Sequence, residues 1–268
     1  MESDDRQAWR RVALVTGAAR GIGAAVARRL VADGYGVTAI DSCAGREAGV
    51  SYDLASSADL RSLGDELGDA VLLVRADVRD MRAMAEAVTA TIGRFGRLDA
   101  VVAAAGVISG GRPLWETPSS ELRALVEVNA VGVWNVAAAT IPALLGQPEP
   151  HGCRFVAVAS AAGEHGLFHL AAYNASKHAT IGIVRGLAAD LAGTGVSAVA
   201  VSPGSTATAM LEATGAIYGT GTEDLVARQA LRRALEPDEI AQTVALCCSE
   251  AGAALNGSVV RADGGFGL

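Results

Sequence analysis

The sequence predicts a single α/β domain over residues 1–268, in which helices cover both faces of one doubly wound parallel sheet. Three observations lead to this fold class. Apolar, β-branched runs alternate with amphipathic segments along the whole chain. No linker, repeat or low-complexity segment interrupts the alternation. Glycines and polar residues follow several of the apolar runs, which is where a Rossmann-like sheet binds its ligands.

Composition and charge indicate which partners and which cellular compartment to expect. Of the 268 residues, 51% are hydrophobic and 19% are charged, and the formal net charge is −7. Proteins bind nucleic acid through a basic face, so we expect that this acidic chain has no nucleic-acid partner. The four cysteines have no metal-binding spacing and indicate buried thiols in a reducing compartment. The first eleven residues are polar, and no apolar run approaches about 18 residues, so we expect a cytoplasmic protein without a membrane segment.

The first predicted strand, 12–16, leads into a glycine-rich turn and a helix that runs to about residue 32. The turn contains Gly17, Arg20, Gly21, Ile22 and Gly23. Free N–H groups and the helix dipole favour a pyrophosphate there, and glycines let the backbone approach it. The spacing differs from the commonest Gly-x-Gly-x-x-Gly fingerprint. With its flanking strand and helix, the turn favours dinucleotide binding over a purely structural role.

Asp41 ends the second predicted strand, 36–40. An acid about 20 positions after the glycines accepts hydrogen bonds from the ribose hydroxyls, which selects NAD over NADP. Arg20 could instead bind a 2′-phosphate, so NADP stays open as the weaker alternative. The interval of about 42–56, beginning at Ser42, is longer than a strand-to-helix loop needs, and such loops often cover ligands.

Two further strands end at residues suited to a nucleotide. The strand over 71–76 is followed by Asp77 and Val78, which could accept from the adenine amino group and lie against its ring. A helix over 81–92 leads to the strand 98–105, which ends at Gly106. A long helical pattern over 119–145, broken by Pro142, carries Asn129 in its middle.

Three residues between 160 and 177 could do acid–base chemistry together. Ser160 follows a strand over 155–159, and Tyr173 and Lys177 share one face of a helix over 171–191 because they are spaced i, i+4. A neighbouring ammonium favours the phenolate of a tyrosine whose ordinary pKa is near ~10. Alone, the pair could be a chance feature of an exposed helix. The glycine turn and the two acids make it a proton-transfer unit for a carbinol or carbonyl.

The last third of the chain completes the sheet. A strand over 196–201 precedes Ser202-Pro203-Gly204, and residues 205–224 have the weak periodicity of a mobile substrate cover. A helix over 239–249 and a short strand over 258–261 follow. Small residues on the 171–191 helix permit close approach of another helix, within the chain or from a second subunit: Ala171, Ala175, Ala179, Gly182 and Gly186.

Together these motifs resemble the short-chain dehydrogenases/reductases across nearly the whole chain. Thr16-Gly17-x3-Gly21-Ile22-Gly23 matches the family's glycine motif and Asp77-Val78 its adenine pocket. The resemblance implies a catalytic tetrad of Asn129, Ser160, Tyr173 and Lys177. It also implies cofactor contacts from Tyr173 and Lys177, from the end of the fourth strand and from the nicotinamide-side loop: Ala104, Ala105, Gly106, Pro203, Gly204, Thr206 and Thr208.

The resemblance further implies roles for the tetrad and a homotetrameric assembly. Ser160 would hold the substrate oxygen and Tyr173 would shuttle its proton during hydride transfer to or from NAD. Lys177 would lower the Tyr173 pKa and bind the nicotinamide ribose, and Asn129 would anchor a water that links Lys177 to solvent. One departure is visible: the family's Asn-Ala-Gly is Ala104-Ala105-Gly106 here, which removes an asparagine that normally supports the sheet.

A narrower resemblance is to the mycofactocin-coupled subgroup. It is carried by Asp41-Ser-Cys43, by Gly49-Val-Ser-Tyr52-Asp-Leu54-Ala55 and by Ala58-Asp59-Leu60. In that subgroup the insertion covers a tightly held NAD, which a small redox carrier, mycofactocin, reoxidises in place. The alternatives are an NADP-dependent 3-oxoacyl-(acyl carrier protein) reductase and a non-catalytic nucleotide-sensing protein.

Apolar residues suggest the substrate class. Phe168, Leu170, Met210 and Leu211 indicate an apolar secondary alcohol and its ketone or aldehyde. Glu164, His165 and His169 are expected to join Phe168 in the substrate wall rather than act as catalysts.

Overall fold

The computed structural model describes residues 9–46 and 50–267, and within them seven strands form one parallel sheet. The strands are β1 (Arg11–Thr16), β2 (Tyr35–Asp41), β3 (Val71–Arg75), β4 (Ala100–Ala103), β5 (Arg154–Val158), β6 (Ser197–Pro203) and β7 (Val259–Ala262). Their order in the sheet is β3-β2-β1-β4-β5-β6-β7. The predicted doubly wound parallel sheet is therefore confirmed.

Helices cover both faces of the sheet. They are α1 (Gly21–Ala32), α2 (Ser57–Leu67), α3 (Met81–Phe95), α4 (Ser119–Val126), α5 (Gly132–Leu145), α6 (Ala171–Asp190), α7 (Ala209–Tyr218), α8 (Thr222–Val226) and α9 (Pro237–Cys248). One apolar core lies under α1, α2 and α9, and a second lies under α3, α5 and α6. The strand order reverses between β1 and β4, which opens a crevice at the carboxyl ends of these strands.

The long helical pattern over 119–145 is divided by a π-helical turn, Glu127–Val131, and not by Pro142. The helix α5 continues past Pro142 to Leu145. Asn129 lies inside the π turn and is fully buried. The whole stretch is apolar and long enough to cross a membrane by composition, yet half of its most apolar window is buried and α5 packs on α3. It is a core helix of this domain.

The segment 205–224 is more regular than its sequence suggests. It holds α7 and the start of α8, and α7 ends at Gly219 in the left-handed conformation that glycine adopts without strain. The many Gly, Thr and Ala residues of this segment weaken the hydrophobic periodicity by which a helix is predicted from sequence. The helix α7 is instead stabilised by packing on the substrate end of the crevice. The start of the polar N-terminus and Gly49 of the insertion lie outside the described residues.

Candidate active site

A cavity of about 950 Å³ occupies the crevice at the carboxyl ends of the strands. Nearly all of the predicted site residues line it, including the glycine turn, Asp41, Asp77, Ser160 and the Tyr173–Lys177 pair. Asn129 is the exception, because it lies behind the cavity wall. The glycine turn, Asp41 and Asp77 line one part of the cavity, and apolar side chains packed around Tyr173 line another.

The glycine turn forms a bare backbone cradle. A Cβ added at Gly17 would lie 2.7 Å from the Cα of Ala105, and one at Gly23 would lie 2.1 Å from the carbonyl oxygen of Gly17. Gly17 and Gly21 also have positive φ angles. Arg20 precedes the helix without a side-chain cap, so backbone N–H groups face the cavity. These residues fit a dinucleotide pyrophosphate.

Asp41 is held as a hydrogen-bond acceptor at the adenosine end. Its carboxylate accepts from the N–H of Ala19 at 3.1 Å and from the N–H of Cys43 at 2.9 Å. Both bonds fix the carboxylate in the cavity wall, where its remaining lone pairs can accept from ribose hydroxyls. Arg20 is not available for a 2′-phosphate in this arrangement, because its guanidinium donates to the carbonyl of Asp53 in the insertion.

Asp77 is paired with a residue that the sequence analysis did not single out. The Nε of Arg79 donates to Asp77 at 3.0 Å, and this bond holds the Asp77 pKa below its usual value. The buried amide of Asn135 donates to the carbonyls of Val78 and Arg79 and so fixes the turn. The carboxylate stays ionised at the cavity wall, and Arg79 could have been found locally, because it lies two positions after Asp77 and its N–H also donates to that carboxylate at 2.9 Å.

Tyr173 and Lys177 lie side by side in the buried part of the cavity. The Nζ of Lys177 donates to the carbonyl of Val158 at 3.0 Å. Burial lowers the Lys177 pKa to about 8. Burial also raises the Tyr173 pKa to about 12, against the opposing hydrogen bond with Ser160. In the protein alone desolvation therefore has the largest influence on the Tyr173 pKa, and the lowering of that pKa by Lys177 stays a prediction.

Ser160 and Met210 face the same phenol. The Ser160 hydroxyl accepts from the N–H of Ala162 at 3.1 Å, which fixes its position just after β5. The Met210 sulfur lies 3.8 Å from the Tyr173 hydroxyl. Met210 comes from α7, so this helix closes over the reacting end of the cavity.

Asn129 supports the site through its side chain. Its amide oxygen accepts from the N–H of Val107 at 2.9 Å, and its nitrogen donates to the Val107 carbonyl and the Ser176 hydroxyl, each at 2.9 Å. A Cβ added at Gly106 would lie 3.3 Å from Asn129 Oδ1 and 3.4 Å from Lys177 Nζ. The amide thus holds the loop after β4 against the lysine.

The backbone at position 104, where the asparagine is missing, is tied to the end of β1. The buried hydroxyl of Thr16 accepts from the N–H groups of Ala104 and Ala105 at 3.2 and 3.3 Å. It ties the end of β1 to the end of β4, so the departure from the family pattern leaves these two N–H groups paired.

The nicotinamide-side loop after β6 is also held by side chains. Thr206 donates to the carbonyl of Gly204 at 3.1 Å, and Thr208 donates to the carbonyl of Thr206 at 3.2 Å. A Cβ added at Gly204 would lie 2.2 Å from Oε1 of Gln229, so only glycine fits there. Pro203 ends the strand, and all of these loop residues except Gln229 line the cavity.

The substrate end is apolar but differs from the predicted wall. Glu164 pairs with Arg261 at 2.9 Å, His165 packs on Phe266, and His169 stacks on Phe168, so these three residues do not line the main cavity. Tyr52 and Phe266 line it instead and were missed. The main apolar lining is Leu167, Phe168, Leu170, Met210, Leu211 and Tyr218.

A backbone cradle for a dinucleotide beside a Ser–Tyr–Lys unit defines an oxidoreductase. The family model described as short chain dehydrogenase matches residues 11–218. An uncharacterised NAD-dependent oxidoreductase of Mycobacterium tuberculosis is 34% identical over 265 residues, 95% of each chain. The chain therefore belongs to the short-chain dehydrogenase/reductase family.

Two further relatives carry substrate names. The cis-4-hydroxycyclohexanecarboxylate dehydrogenase of Sinomonas cyclohexanicum is 33% identical over 258 residues, 96% of each chain. The crystal structure of carveol dehydrogenase from Mycobacterium avium, in complex with NAD, superposes with a TM-score of 0.88 at 27% identity. That alignment covers 97% of this chain and 98% of the other.

Proposed function

We propose that the protein is an NAD-dependent dehydrogenase that interconverts an apolar secondary alcohol and its ketone. The observation that carries the proposal is the position of Tyr173, where the nucleotide-binding end of the cavity meets the apolar end. The glycine turn, Asp41 and Asp77 would hold NAD, which would supply the acceptor or donor of the hydride at the carbinol carbon. The M. avium and Sinomonas relatives are named for ring alcohols, which supports a ring-shaped substrate here.

The protein's own residues handle the substrate oxygen and its proton. The Ser160 hydroxyl, fixed by Ala162, orients the oxygen toward Tyr173. Tyr173 accepts the proton from the alcohol during oxidation and returns it during reduction. The Met210 side chain moves away from the Tyr173 hydroxyl when the substrate enters. Lys177 lies behind the phenol and would bind the nicotinamide ribose. The apolar lining keeps water from the reacting carbon.

The preference for NAD follows from Asp41, whose fixed carboxylate would repel a 2′-phosphate. The experiment is to oxidise a panel of ring alcohols with the purified protein and to identify any bound nucleotide by mass. NAD-linked oxidation of ring alcohols is the expected result. Faster reduction of a 3-oxoacyl thioester by NADPH would replace the proposal with the reductase alternative. Absence of turnover with every substrate would favour the nucleotide-sensing alternative.

We also propose that NAD stays bound between turnovers and is reoxidised by mycofactocin. The support is that the insertion touches both walls of the cavity. Arg20 of the glycine turn donates to the Asp53 carbonyl, and the N–H of Ile108 after β4 donates to the Tyr52 hydroxyl at 3.3 Å. A cofactor held beneath these contacts leaves only when they open.

The assembly we propose is a cytoplasmic homotetramer built through α5 and α6. Ala175, Ala179, Gly182 and Gly186 are exposed on α6, and a Cβ added at either glycine meets nothing within 4 Å. Among residues 9–46 and 50–267, intrachain packing therefore leaves this small-residue face uncovered at both glycines. Trp134 on α5 is 62% exposed, and a second copy would cover it.

A further inference from the structure

The insertion carries one aromatic side chain into the catalytic end of the cavity. Along residues 51–55 the exposed side chains of Ser51 and Asp53 alternate with the more buried ones of Tyr52 and Leu54. The base of the loop is closed by hydrogen bonds from Gly45 to Ala55 and from Leu54 to Gly45. Tyr52 and Leu54 line the cavity and pack in the apolar cluster that contains Tyr173.

The Tyr52 hydroxyl is oriented by one contact and keeps a donor. Its oxygen accepts from the backbone N–H of Ile108 at 3.3 Å, which fixes the phenol at the cavity wall. The O–H then has a hydrogen to donate, and the structure records no acceptor for it among the described residues. Burial raises the Tyr52 pKa, so the phenol keeps its proton at neutral pH. Tyr52 packs against the apolar cluster that contains Tyr173, and both phenols line the same cavity.

We infer that Tyr52 is a substrate-positioning residue that donates a hydrogen bond to a second oxygen of the substrate. The rest of the substrate end is largely apolar, so a phenolic donor there distinguishes diols and hydroxyketones from simple alcohols. This inference rests on the proposed function, because it refines the substrate class of the same site. Tyr218, the third tyrosine in the cavity lining beside Tyr52 and Tyr173, has already used its donor on the Phe168 carbonyl at 2.6 Å.

The test compares cyclohexanol with cyclohexane-1,2-, 1,3- and 1,4-diol in the wild type and in Tyr52→Phe. Turnover is followed both with added NAD and with a soluble redox dye, so that it is detected whether or not the cofactor exchanges. We expect the wild type to favour at least one diol in kcat/KM. Tyr52→Phe keeps the ring and should lower the diol-to-cyclohexanol ratio about ten-fold, mainly through KM. Tyr35→Phe, the matched loss of a phenol hydroxyl that bonds to the Cys248 carbonyl outside the cavity, should leave this ratio within about two-fold of the wild type.

The outcomes separate this inference from the proposed function. A wild type that oxidises ring alcohols without favouring any diol would overturn the role of Tyr52 and leave the proposed function intact. An equal fall in kcat/KM for all four alcohols in Tyr52→Phe would show a structural role and would also overturn it. A wild type that oxidises none of the four would overturn both.

Discussion

The amino group of Lys177 lies 6.0 Å from the centre of the Tyr173 ring, and both side chains are almost completely buried. Burial lowers the pKa of Lys177 and raises the pKa of Tyr173, because it favours the neutral form of each group. Above pH 8 the protein alone therefore holds a neutral amine beside a neutral phenol. It does not hold a preformed phenolate–ammonium pair.

Replacement of the phenol hydroxyl should stop turnover. Tyr173→Phe removes the group that exchanges the proton with the substrate oxygen, and we expect kcat to fall by a factor of about 10²–10⁴. The hydroxyl's partners are Ser160 and, at 3.8 Å, the Met210 sulfur, so its loss should cost only about 1 kcal/mol of stability. Steady-state kinetics, thermal unfolding and the amount of bound NAD are the measurements. Turnover near the wild-type rate would remove Tyr173 from the mechanism.

The buried lysine should make stability depend on alkaline pH. The Lys177 pKa falls from its ordinary 10.5 to about 8 in the folded protein. Between these values the unfolded chain binds a proton that the native protein has released, so this group's contribution to stability rises with pH. Below pH 8 both states hold the proton and the contribution is constant.

The comparison is with Lys177→Met, which removes the titrating group. From pH 7 to pH 10, the wild type should gain stability relative to the variant, on the order of 3 kcal/mol. Denaturant unfolding of both apoproteins at the two pH values measures the change. The buried thiols also titrate above pH 9, but their effect is common to both proteins and cancels. A constant difference between wild type and variant would show that Lys177 is not desolvated.

The parts of the site that the sequence predicted are those that residue types fix locally. Gly17 and Gly23 are required by close backbone approach, and the spacing of Tyr173 and Lys177 is set by one helix. The role of Asp41 follows directly from its position as the last residue of β2. In each case the residues that indicate the function lie within or next to one strand or helix, so a short stretch of sequence is enough to recognise them.

Apart from Arg79, which lies two positions from Asp77, the missed parts depend on contacts between distant segments. Tyr52 meets Ile108 across 56 positions, and Phe266 reaches the cavity from near the C-terminus. Glu164 was misplaced for the same reason, because its partner Arg261 is 97 positions away. The π turn around Asn129 is also invisible locally, since its residues suit an ordinary helix.

Thr16, whose hydroxyl accepts hydrogen bonds from the backbone at positions 104 and 105, should contribute to the stability of the fold. Thr16→Val keeps the shape of the buried side chain but leaves the N–H groups of Ala104 and Ala105 without their acceptor. The free energy of unfolding should fall by about 1–3 kcal/mol. Thr140→Val is the matched control, because that buried hydroxyl bonds only to the carbonyl of Val136 in its own helix. Equal losses in the two variants would contradict the proposed tie between β1 and β4.

Cofactor selectivity should depend on the charge of Asp41. Asp41→Asn keeps the size of the side chain and removes the repulsion toward a 2′-phosphate. We expect the ratio of the Kd for NADP to the Kd for NAD to fall about ten-fold, which corresponds to about 1.4 kcal/mol. Titration calorimetry on apoprotein measures both constants. Asp33→Asn, which lies at the end of α1 and outside the cavity, is the control. An unchanged ratio would mean that another group selects the cofactor.

Release of NAD should depend on the contact between the glycine turn and the insertion. Arg20→Met keeps the aliphatic stem of the side chain and removes the donor to the Asp53 carbonyl. If this contact holds the insertion over the cofactor, the dissociation rate of bound NAD should rise about ten-fold, as expected for the loss of a hydrogen bond from a charged donor. The measurement is loss of bound NAD after rapid dilution, followed by mass.

Arg46→Met provides the control, because it acts on the same aspartate from the solvent side. Arg46 pairs with the Asp53 carboxylate at 2.7 Å, but its side chain is 85% exposed. Exposed ion pairs contribute little, so the NAD dissociation rate should stay within about two-fold of the wild type. Equal acceleration in both variants would show that NAD release follows general loosening of the insertion. No acceleration in Arg20→Met would contradict the proposal that the insertion retains NAD through Arg20.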